Sequence, residues 1–301
     1  NSVVARFDGT GWTLHRLPDA GDLADLWGDG QGVVQVAGRS AQGLITLWSL
    51  HGKAWSAVSS TVPGFALGLH GTSANDLWVV GNAGLLHFDG KTLVPATGAD
   101  GGTPGAPEGA AGALLDVWMI GPDQGVAAGL GGITATYDQT TWAQSRPLDD
   151  PELAAVDGTG PGDVWVAGVA NGAVAGASNV LRWNGAVFEA MPPAPLDGIA
   201  AIVVPEPGRV VAAGWKAKSP GIARWDGTAW TATPAPPSPD AHAVSARYAG
   251  LWAGSPADIW AVGTWMLDGP DPGDRRRLPL VSHFDGTAWT TRTDVPATSL
   301  S

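Results

Sequence analysis

The chain has no cysteine, three methionines and two tyrosines. Without cysteine there are no disulfides and no thiolate metal sites. Charge is scarce and lopsided: charged residues make up 15% of the chain, with 28 acidic against 16 basic, for a formal net charge of −12. Binding to a phosphate backbone or an anionic bilayer rests on Lys and Arg, so the composition speaks against nucleic acid and lipid headgroups as partners. No run of about 18 apolar residues occurs, so no membrane-inserted helix is expected. There is no N-x-[ST] acceptor triplet, and the chain opens at Asn1 with neither Met nor a signal sequence, which reads as a processed or trimmed product. Glu is nearly missing, at 4 residues against 24 Asp, and Lys is rare. Asp bonds its own backbone in turns, whereas Glu and Lys favour helix surfaces.

Turn formers and large apolar residues take the place of helix formers. There are 44 Gly, 24 Pro and 16 Trp, with 44% hydrophobic residues overall. That apolar content excludes disorder, and the absence of a Gly-X-Y period excludes collagen. The remaining class is a turn-dense globular protein.

Internal repetition decides the fold. One unit, the head, reads roughly L-x-x-[VL]-W-G-x(4)-D-[VLI]-W-x-V-G. It recurs six times at constant length, at 23–38, 66–81, 114–129, 153–168, 199–214 and 248–263. A second unit, the tail, reads x-[RH]-[FWY]-D-G-x-x-W. Its turn pairs are Asp8-Gly9, His51-Gly52, Asp89-Gly90, Asp138-Gln139, Asn184-Gly185, Asp226-Gly227 and Asp285-Gly286. Asp-Gly and Asn-Gly between β-rich runs are the strongest short hairpin signals. Two strands per head and two per tail give four-stranded units at a period near 45 residues, so the expectation is an all-β, seven-bladed β-propeller filling 1–301 as a single domain. Seven tails against six heads leave one blade incomplete or shared between the termini, its missing head expected beyond Ser301, with residues 299–301 as its first residues. Trp12, Trp55, Trp78, Trp142, Trp165, Trp230, Trp260 and Trp289 recur in register and are expected to pack between blades.

The run Gly71-Thr72-Ser73-Ala74-Asn75-Asp76-Leu77-Trp78-Val79-Val80-Gly81, followed by His87-Phe88-Asp89-Gly90, resembles the bacterial extracytoplasmic β-propeller repeats grouped with Asp-box and kelch-like proteins. The tail is similar to a degenerate Asp box; Phe284-Asp285-Gly286-Thr287-Ala288-Trp289 is the nearest copy. This resemblance implies a propeller with the box at the turn between third and fourth strands, and a location outside the cytoplasm. Proteins of this kind include interaction modules, lectins and sialidase-type hydrolases.

Within an up-and-down meander the head turns and tail turns leave one end of each sheet and all other connections leave the opposite end. The fixed lengths lie at the first end. The variable stretches, 97–113, 169–179, 215–221, 234–247 and 264–280, lie at the second and are the candidate recognition face. Two of them carry indoles outside the repeat register. One holds Trp215, Lys216 and Lys218. The other holds Trp265, Met266, Asp268, Asp271, Arg275, Arg276 and Arg277. Trp and Arg are enriched at binding hot spots. Asp268, Asp271 and Asp274 lack EF-hand spacing, and no metal ligand set or cofactor motif is read. A sialidase-like site would need an arginine cluster and a tyrosine nucleophile beside a carboxylate, yet Tyr137 and Tyr248 sit at repeat positions. A lectin would repeat one pocket per blade, yet the residues after the head glycines differ: Arg39, Asn82, Leu130, Val169, Trp215, Thr264. The expectation is a non-enzymatic module that binds a protein partner or joins a larger assembly, with carbohydrate binding as the alternative and a glycoside hydrolase behind it.

Overall fold

The computed structural model describes residues 2–7, 10–99, 102–103, 113–147, 152–169, 179–269 and 275–292. Among these the only helical element is a 3-10 turn at Leu130–Gly132, and the strands form seven antiparallel sheets in chain order. Six sheets have four strands and the first has two. This is the seven-bladed β-propeller that the repeats predict. Contacts divide the chain into Asn1–Leu153 and Ala154–Ser301.

In the first unit, sheet 1 is β1 (Val3–Phe7) with β2 (Trp12–Arg16). Sheet 2 is β3 (Ala20–Gly28), β4 (Val34–Ser40), β5 (Leu44–His51) and β6 (Ala54–Pro63). Sheet 3 is β7 (Ala66–Ser73), β8 (Asp76–Gly81), β9 (Gly84–Phe88) and β10 (Leu93–Pro95). Sheet 4 is β11 (Leu114–Gly121), β12 (Gln124–Gly129), β13 (Thr134–Tyr137) and β14 (Trp142–Ser145). In the second unit, sheet 5 is β15 (Glu152–Gly160), β16 (Asp163–Val169), β17 (Val180–Trp183) and β18 (Phe188–Ala190). Sheet 6 is β19 (Gly198–Glu206), β20 (Arg209–Lys216), β21 (Ser219–Trp225) and β22 (Trp230–Thr233). Sheet 7 is β23 (Ala243–Ser255), β24 (Asp258–Asp268), β25 (Arg275–Phe284) and β26 (Trp289–Arg292). Each head is thus two strands and each tail a hairpin, whose turn in the four-stranded sheets joins third and fourth strands. Sheet 1 holds the two strands of the first tail; residues 299–301 lie outside the described residues.

The second strand of each sheet explains why these strands read as continuous apolar runs. In β8, Leu77 and Val79 pack with Ala37, Ile45 and Leu47 of sheet 2, while Trp78 and Val80 pack with Leu114, Val117 and Trp142 of sheet 4. In β20, Val210 and Ala212 join Ala167 and Val180 of sheet 5, and Val211 and Ala213 join Ile259 and Leu280 of sheet 7. Successive side chains point to opposite faces, so a strand between two packed neighbours must be apolar at every position. The glycine closing each head has a repeated reason. In five of the six heads, a Cβ at Gly38, Gly81, Gly129, Gly214 or Gly263 would run into a backbone carbonyl in or just before the first strand, that of Asp22, Phe65, Ala113, Gly198 or Arg247. The register shifts there, as between Ala66 and Gly68, mark a β-bulge.

Of the eight tryptophans expected between blades, Trp78, Trp142 and Trp165 are buried. Trp12, Trp55, Trp230 and Trp289, near the starts of the last strands of their sheets, are half-buried, whereas Trp142 at the same place in sheet 4 is buried, with the 97–99 segment hydrogen-bonded alongside it; Trp260 is half-buried too, stacked on His283 at 4.2 Å. Trp48, Trp225 and Trp265 complete the buried set. Each fully buried indole withdraws roughly 150–250 Å², an upper-bound gain of about 4–6 kcal/mol.

A clasp recurs on the sheets. His87 Nε2 meets Asp76 at 2.7 Å and stacks on Trp78 at 4.3 Å. His283 meets Asp258 at 2.8 Å, with the Trp260 indole N–H donating to the same oxygen at 2.9 Å. Arg182 takes that place beside Asp163 at 3.2 Å, where Trp165 donates at 2.9 Å. Asp163 also accepts the Gly208 N–H of the next sheet at 2.9 Å and the Thr159 hydroxyl at 2.8 Å. Burial alone would raise its pKa; the Gly208 N–H, the two side-chain donors and Arg182 outweigh it and hold the carboxyl below the usual range.

The tail turns share one hydrogen-bond pattern. Asp226 Oδ1 accepts the Thr228 and Ala229 N–H groups, each at 2.8 Å, and the Thr228 hydroxyl at 2.7 Å. Asp285 repeats this with Thr287 and Ala288. The Ala229 N–H for Asp226, and the Thr287 hydroxyl for Asp285, lead in drawing both carboxyls down to about 2. The second turn residue is left-handed, φ +97° at Gly227 and +94° at Gly286. Gln139 holds that place in sheet 4 at φ 84°. Such a conformation costs a non-glycine residue roughly 1–2 kcal/mol, so Gln139→Gly is expected to raise unfolding free energy by about 1 kcal/mol in urea denaturation.

First strands are also tied to the next sheet. Asp25 Oδ2 accepts the Leu69 N–H at 2.8 Å, His70 Nδ1 the Met119 N–H at 3.0 Å, and Asp157 Oδ2 the Val204 N–H at 2.7 Å. Burial pushes Asp25 and Asp157 up to about 6 and His70 down to about 4. Unfolded Asp releases its proton near 3.8 and folded Asp25 near 6, so the native state holds the extra proton in between. Stability from Asp25 is therefore complete below about pH 4 and lost as pH rises to 6, while His70 acts in the opposite sense. The Tm of Asp25→Asn relative to the parent should climb by several degrees between pH 4 and pH 7; a difference constant with pH would contradict the assignment.

Candidate functional site

The two stretches expected as irregular loops in the second unit are largely strand. β24 and β25 pair without interruption from Ile259↔Phe284 out to Asp268↔Arg275, and β23 follows along to Ala243↔Leu267. The result is a three-stranded arm extending sheet 7 past its head. Its outer positions obey period-2 burial: Trp265 and Leu267 are buried, while Thr264 and Met266 are half-buried and Asp268 is exposed. Trp265 lies in the core shared by sheets 6 and 7, at 6% exposure. Expected as a contact residue, Trp265 packs in that core and anchors the arm. Cross-strand partners share a face, so Arg275 and Arg277 stand beside Asp268 and Met266, and Arg276 sits at the end of the core-facing row with Leu267.

The stretch 215–221 is likewise a tight hairpin. Lys216 pairs with Ser219 across a turn whose Ala217 is left-handed at φ 53°. Trp215 is half-buried, its ring so close over Gly198 that a Cβ there would clash. It too is chiefly a packing residue. Asp197 fastens the turn, accepting from Lys216 Nζ and from the Ala217 N–H, both at 2.7 Å. Those two bonds, Lys216 first, hold Asp197 below the usual carboxylate range. The Lys218 carbonyl accepts the Ala246 N–H at 2.8 Å, joining this hairpin to the arm.

A third segment closes the corner. The Asp268 N–H donates to the His242 carbonyl at 3.0 Å. Asp240 accepts from the His242 N–H and ring at 2.8 Å, and these bonds, with the Arg276 charge, lower its pKa. Lys216, Lys218, Arg247, Arg275, Arg276 and Arg277, all exposed, are thereby collected on one corner of a chain with only 16 Lys and Arg. Lys216 is paired with Asp197, and Arg275 with Asp268 at 3.1 Å. Lys218, Arg247, Arg276 and Arg277 make no ion pair within 4 Å among the described residues. Asp271 lies outside the described residues. Asp240, His242 and Arg247 fall in the 234–247 stretch expected on the recognition face but were not singled out there, and Asp197 lay outside every stretch named.

Beneath the corner, sheets 6 and 7 leave a cavity of about 380 Å³ by the 234–237 segment, with Tyr248, Ser282 and Trp289 in its wall. Among the described residues no group of three His, Cys, Asp or Glu is placed to hold a metal ion. Of the two tyrosines, Tyr137 donates to the Gln139 carbonyl at 2.8 Å, and Tyr248, whose pKa burial raises, bonds Ser282 Oγ at 2.8 Å.

No protein-family model matches the chain, and no curated protein sequence matches it. Among solved structures it is similar to YCF48 bound to D1 peptide, at 14% identity and a TM-score of 0.61, over 98% of this chain and 88% of that one. It is also similar to YCF48 from Cyanidioschyzon merolae, at 13% identity and a TM-score of 0.44, over 76% of this chain and 84% of that one. At such identity the first likeness establishes the β-propeller fold.

Proposed function

We propose that the chain is a protein-binding propeller that holds an anionic segment of its partner on the corner built by the 216–219 hairpin and the sheet 7 arm. The carrying observation is the gathering of six of 16 basic residues on the 216–219 hairpin and the three-stranded arm, four of them without an ion-pair partner among the described residues, in a chain of net charge −12. Against so acidic a background, a local cationic patch selects and orients an acidic segment while the rest of the surface repels it. The scaffold is rigid where it matters. Strand pairing, the buried Trp265 and the Asp197 clamp fix the hairpins before binding, which limits the ordering cost. The structure of YCF48 bound to D1 peptide offers an example of a similarly folded protein that holds a peptide. We further assign the chain to the bacterial extracytoplasmic propellers it resembles, and so to a place outside the cytoplasm.

The test is selection from an array of extended decapeptides. Asp- and Glu-rich members should be preferred, with binding that weakens as salt is raised through the range where the Debye length falls below about 10 Å. Replacing Lys218, Arg276 and Arg277 by Glu together should reduce affinity for the selected peptides by at least about tenfold and move Tm by under about 2 °C, since all three are exposed. Unchanged selection by that variant would overturn the assignment.

A further inference from the structure

Sheet 1 has two strands where the other six sheets have four. In sheets 2, 3 and 4 the third strand is paired on both edges, with the second strand and with the fourth. β1 holds the third-strand place and pairs with β2 alone, from Val3↔Arg16 to Phe7↔Trp12. Alternate residues of an antiparallel strand turn N–H and carbonyl to opposite edges. The second edge of β1 is therefore a row of backbone donors and acceptors with no strand beside it among the described residues. Burial follows the pairing. β5 and β9, the third strands of sheets 2 and 3, are mostly buried, whereas Val3 and Val4 are half-buried and Ala5 and Arg6 exposed. Edge strands that stay free are blunted by charge, proline or a bulge. β1 has one charge, Arg6, no proline, and an unshifted register.

The face of sheet 2 beside it is bare over the same width. Val36 of β4 and Trp48 of β5 are buried in a cluster with Leu17, and Val4 of β1 packs against them. Leu26 of β3 pairs with Val36 and shares its face, yet is 59% exposed. Leu69 and Val117, at the same place in sheets 3 and 4, are 3% and 2% exposed. Leu23 and Val34 pack on the cluster and are half-buried, where their counterparts Ala66 and Leu77 in sheet 3 are buried. The counterpart strand β7 is covered because it lies against β3 and β4, the first two strands of the sheet before it. Sheet 1 brings no such strands to β3. The open ladder edge thus calls for extended backbone, and Leu23, Leu26 and Val34 call for apolar side chains on it. β8, which fills that place beside β9, is apolar at every position from Leu77 to Val80.

We propose that a protein partner adds an extended apolar strand to sheet 1, antiparallel along the open edge of β1, with the side chains of one face on Leu23, Leu26 and Val34. Hydrogen bonds to the β1 backbone supply affinity without regard to sequence, and the apolar row selects among strands. All six heads of the chain are engaged in their own sheets, and the strand is assigned to the partner; a seventh head following Ser301 is the rival source that the test separates. This surface reaches beyond the cationic corner: β1 and β3 belong to the first unit and the corner to the second. It takes a strand by backbone pairing and apolar contact, so its occupancy does not depend on Lys218, Arg276 or Arg277.

The experiment follows hydrogen–deuterium exchange of residues 2–7 in the whole chain. The probe is a blocked hexapeptide with the sequence of β8, Asp76-Leu77-Trp78-Val79-Val80-Gly81. It should slow β1 exchange by at least about tenfold, saturably and with little dependence on salt. The same peptide carrying Trp78→Pro and Val79→Pro should leave β1 unprotected, because adjacent residues donate to opposite edges and one of the two must serve β1. Leu26→Asp should cut peptide affinity by at least about tenfold while moving Tm by under about 2 °C, since Leu26 is 59% exposed. The Lys218, Arg276 and Arg277 to Glu variant should bind the hexapeptide like the parent; protection kept while acidic-peptide selection is lost supports this surface and leaves the two sites separate. Unslowed β1 exchange at millimolar peptide overturns the proposal, as does protection undiminished by Leu26→Asp, and in either case the cationic corner stands if acidic peptides still bind. Slow β1 exchange without peptide in the protein at its full natural length, or a fall of many degrees in its Tm on Leu26→Asp, shows its own sequence on the edge and overturns the partner assignment.

Discussion

Two-sided burial of the second strand in each sheet is the constraint from which the rest follows. A strand such as β8 or β20 sends alternate apolar side chains into two different cores, so a sheet is stable only with a neighbour against each face. That condition makes every residue from Leu77 to Val80 apolar. It places a glycine where β8 must approach the bulge of β7, and confines polar clasps such as Asp76 with His87 to the end of the strand nearer the head turn. Carboxylates and a histidine on the first strands then cross the gap to the next sheet. At Asp25, His70 and Asp157 the bond to a neighbouring backbone N–H carries the burden of burying an ionisable group, and their displaced pKa values record it.

What could be read from the chain was whatever repeats. Head length, tail turn and closing glycine each recur, and each has a local cause: two strands around a fixed turn, an Asx-type turn with a left-handed second residue, a backbone contact that tolerates no Cβ. These were legible as fold. The bridging acceptors were not, because they drift in register: Asp25 is the third residue of its head, whereas His70 and Asp157 are the fifth of theirs. A role filled from two positions leaves no column in a repeat pattern. The tryptophans misled in a milder way. Recurrence suggested full burial, but cover at the edge strand depends on what lies beside it: Trp142 is buried with the 97–99 segment bonded alongside, while Trp55 and Trp230 stay half-covered.

The candidate site was half legible. Off-register Trp215 and Trp265 beside Lys and Arg drew attention to this corner, where the structure turns both indoles toward packing. Gly, Pro and Asp from 268 to 274 read as a long loop and masked the alternation of Trp265 and Leu267, which is too short by itself to announce a strand. The indoles are the foundation of the corner and the basic residues its surface. Asp197, Asp240 and Arg247 come to it from connections and from β23, at separations in sequence where no spacing rule operates.

The same corner shows how a repeat acquires a site. Sheets 6 and 7 share an identical tail pentapeptide, so their indoles begin from one geometry. What differs is the chain entering each sheet: residues 191–197 lead into sheet 6, and the longer 234–242, with four prolines, leads into sheet 7. Both connections are rich in proline, three in 191–197 and four in 234–242, so each presents carbonyls but few N–H groups, and the difference between them lies in length. The Trp230 indole N–H on the Pro192 carbonyl, at 2.9 Å, and a cavity at Trp289 are therefore two outcomes of one motif, separated by the connection rather than by the motif. In a fold whose sheets are held alike by their cores, differences of function have to be written in such connections, and it is where the 234–242 segment meets the extended arm that this chain departs furthest from its own repeat.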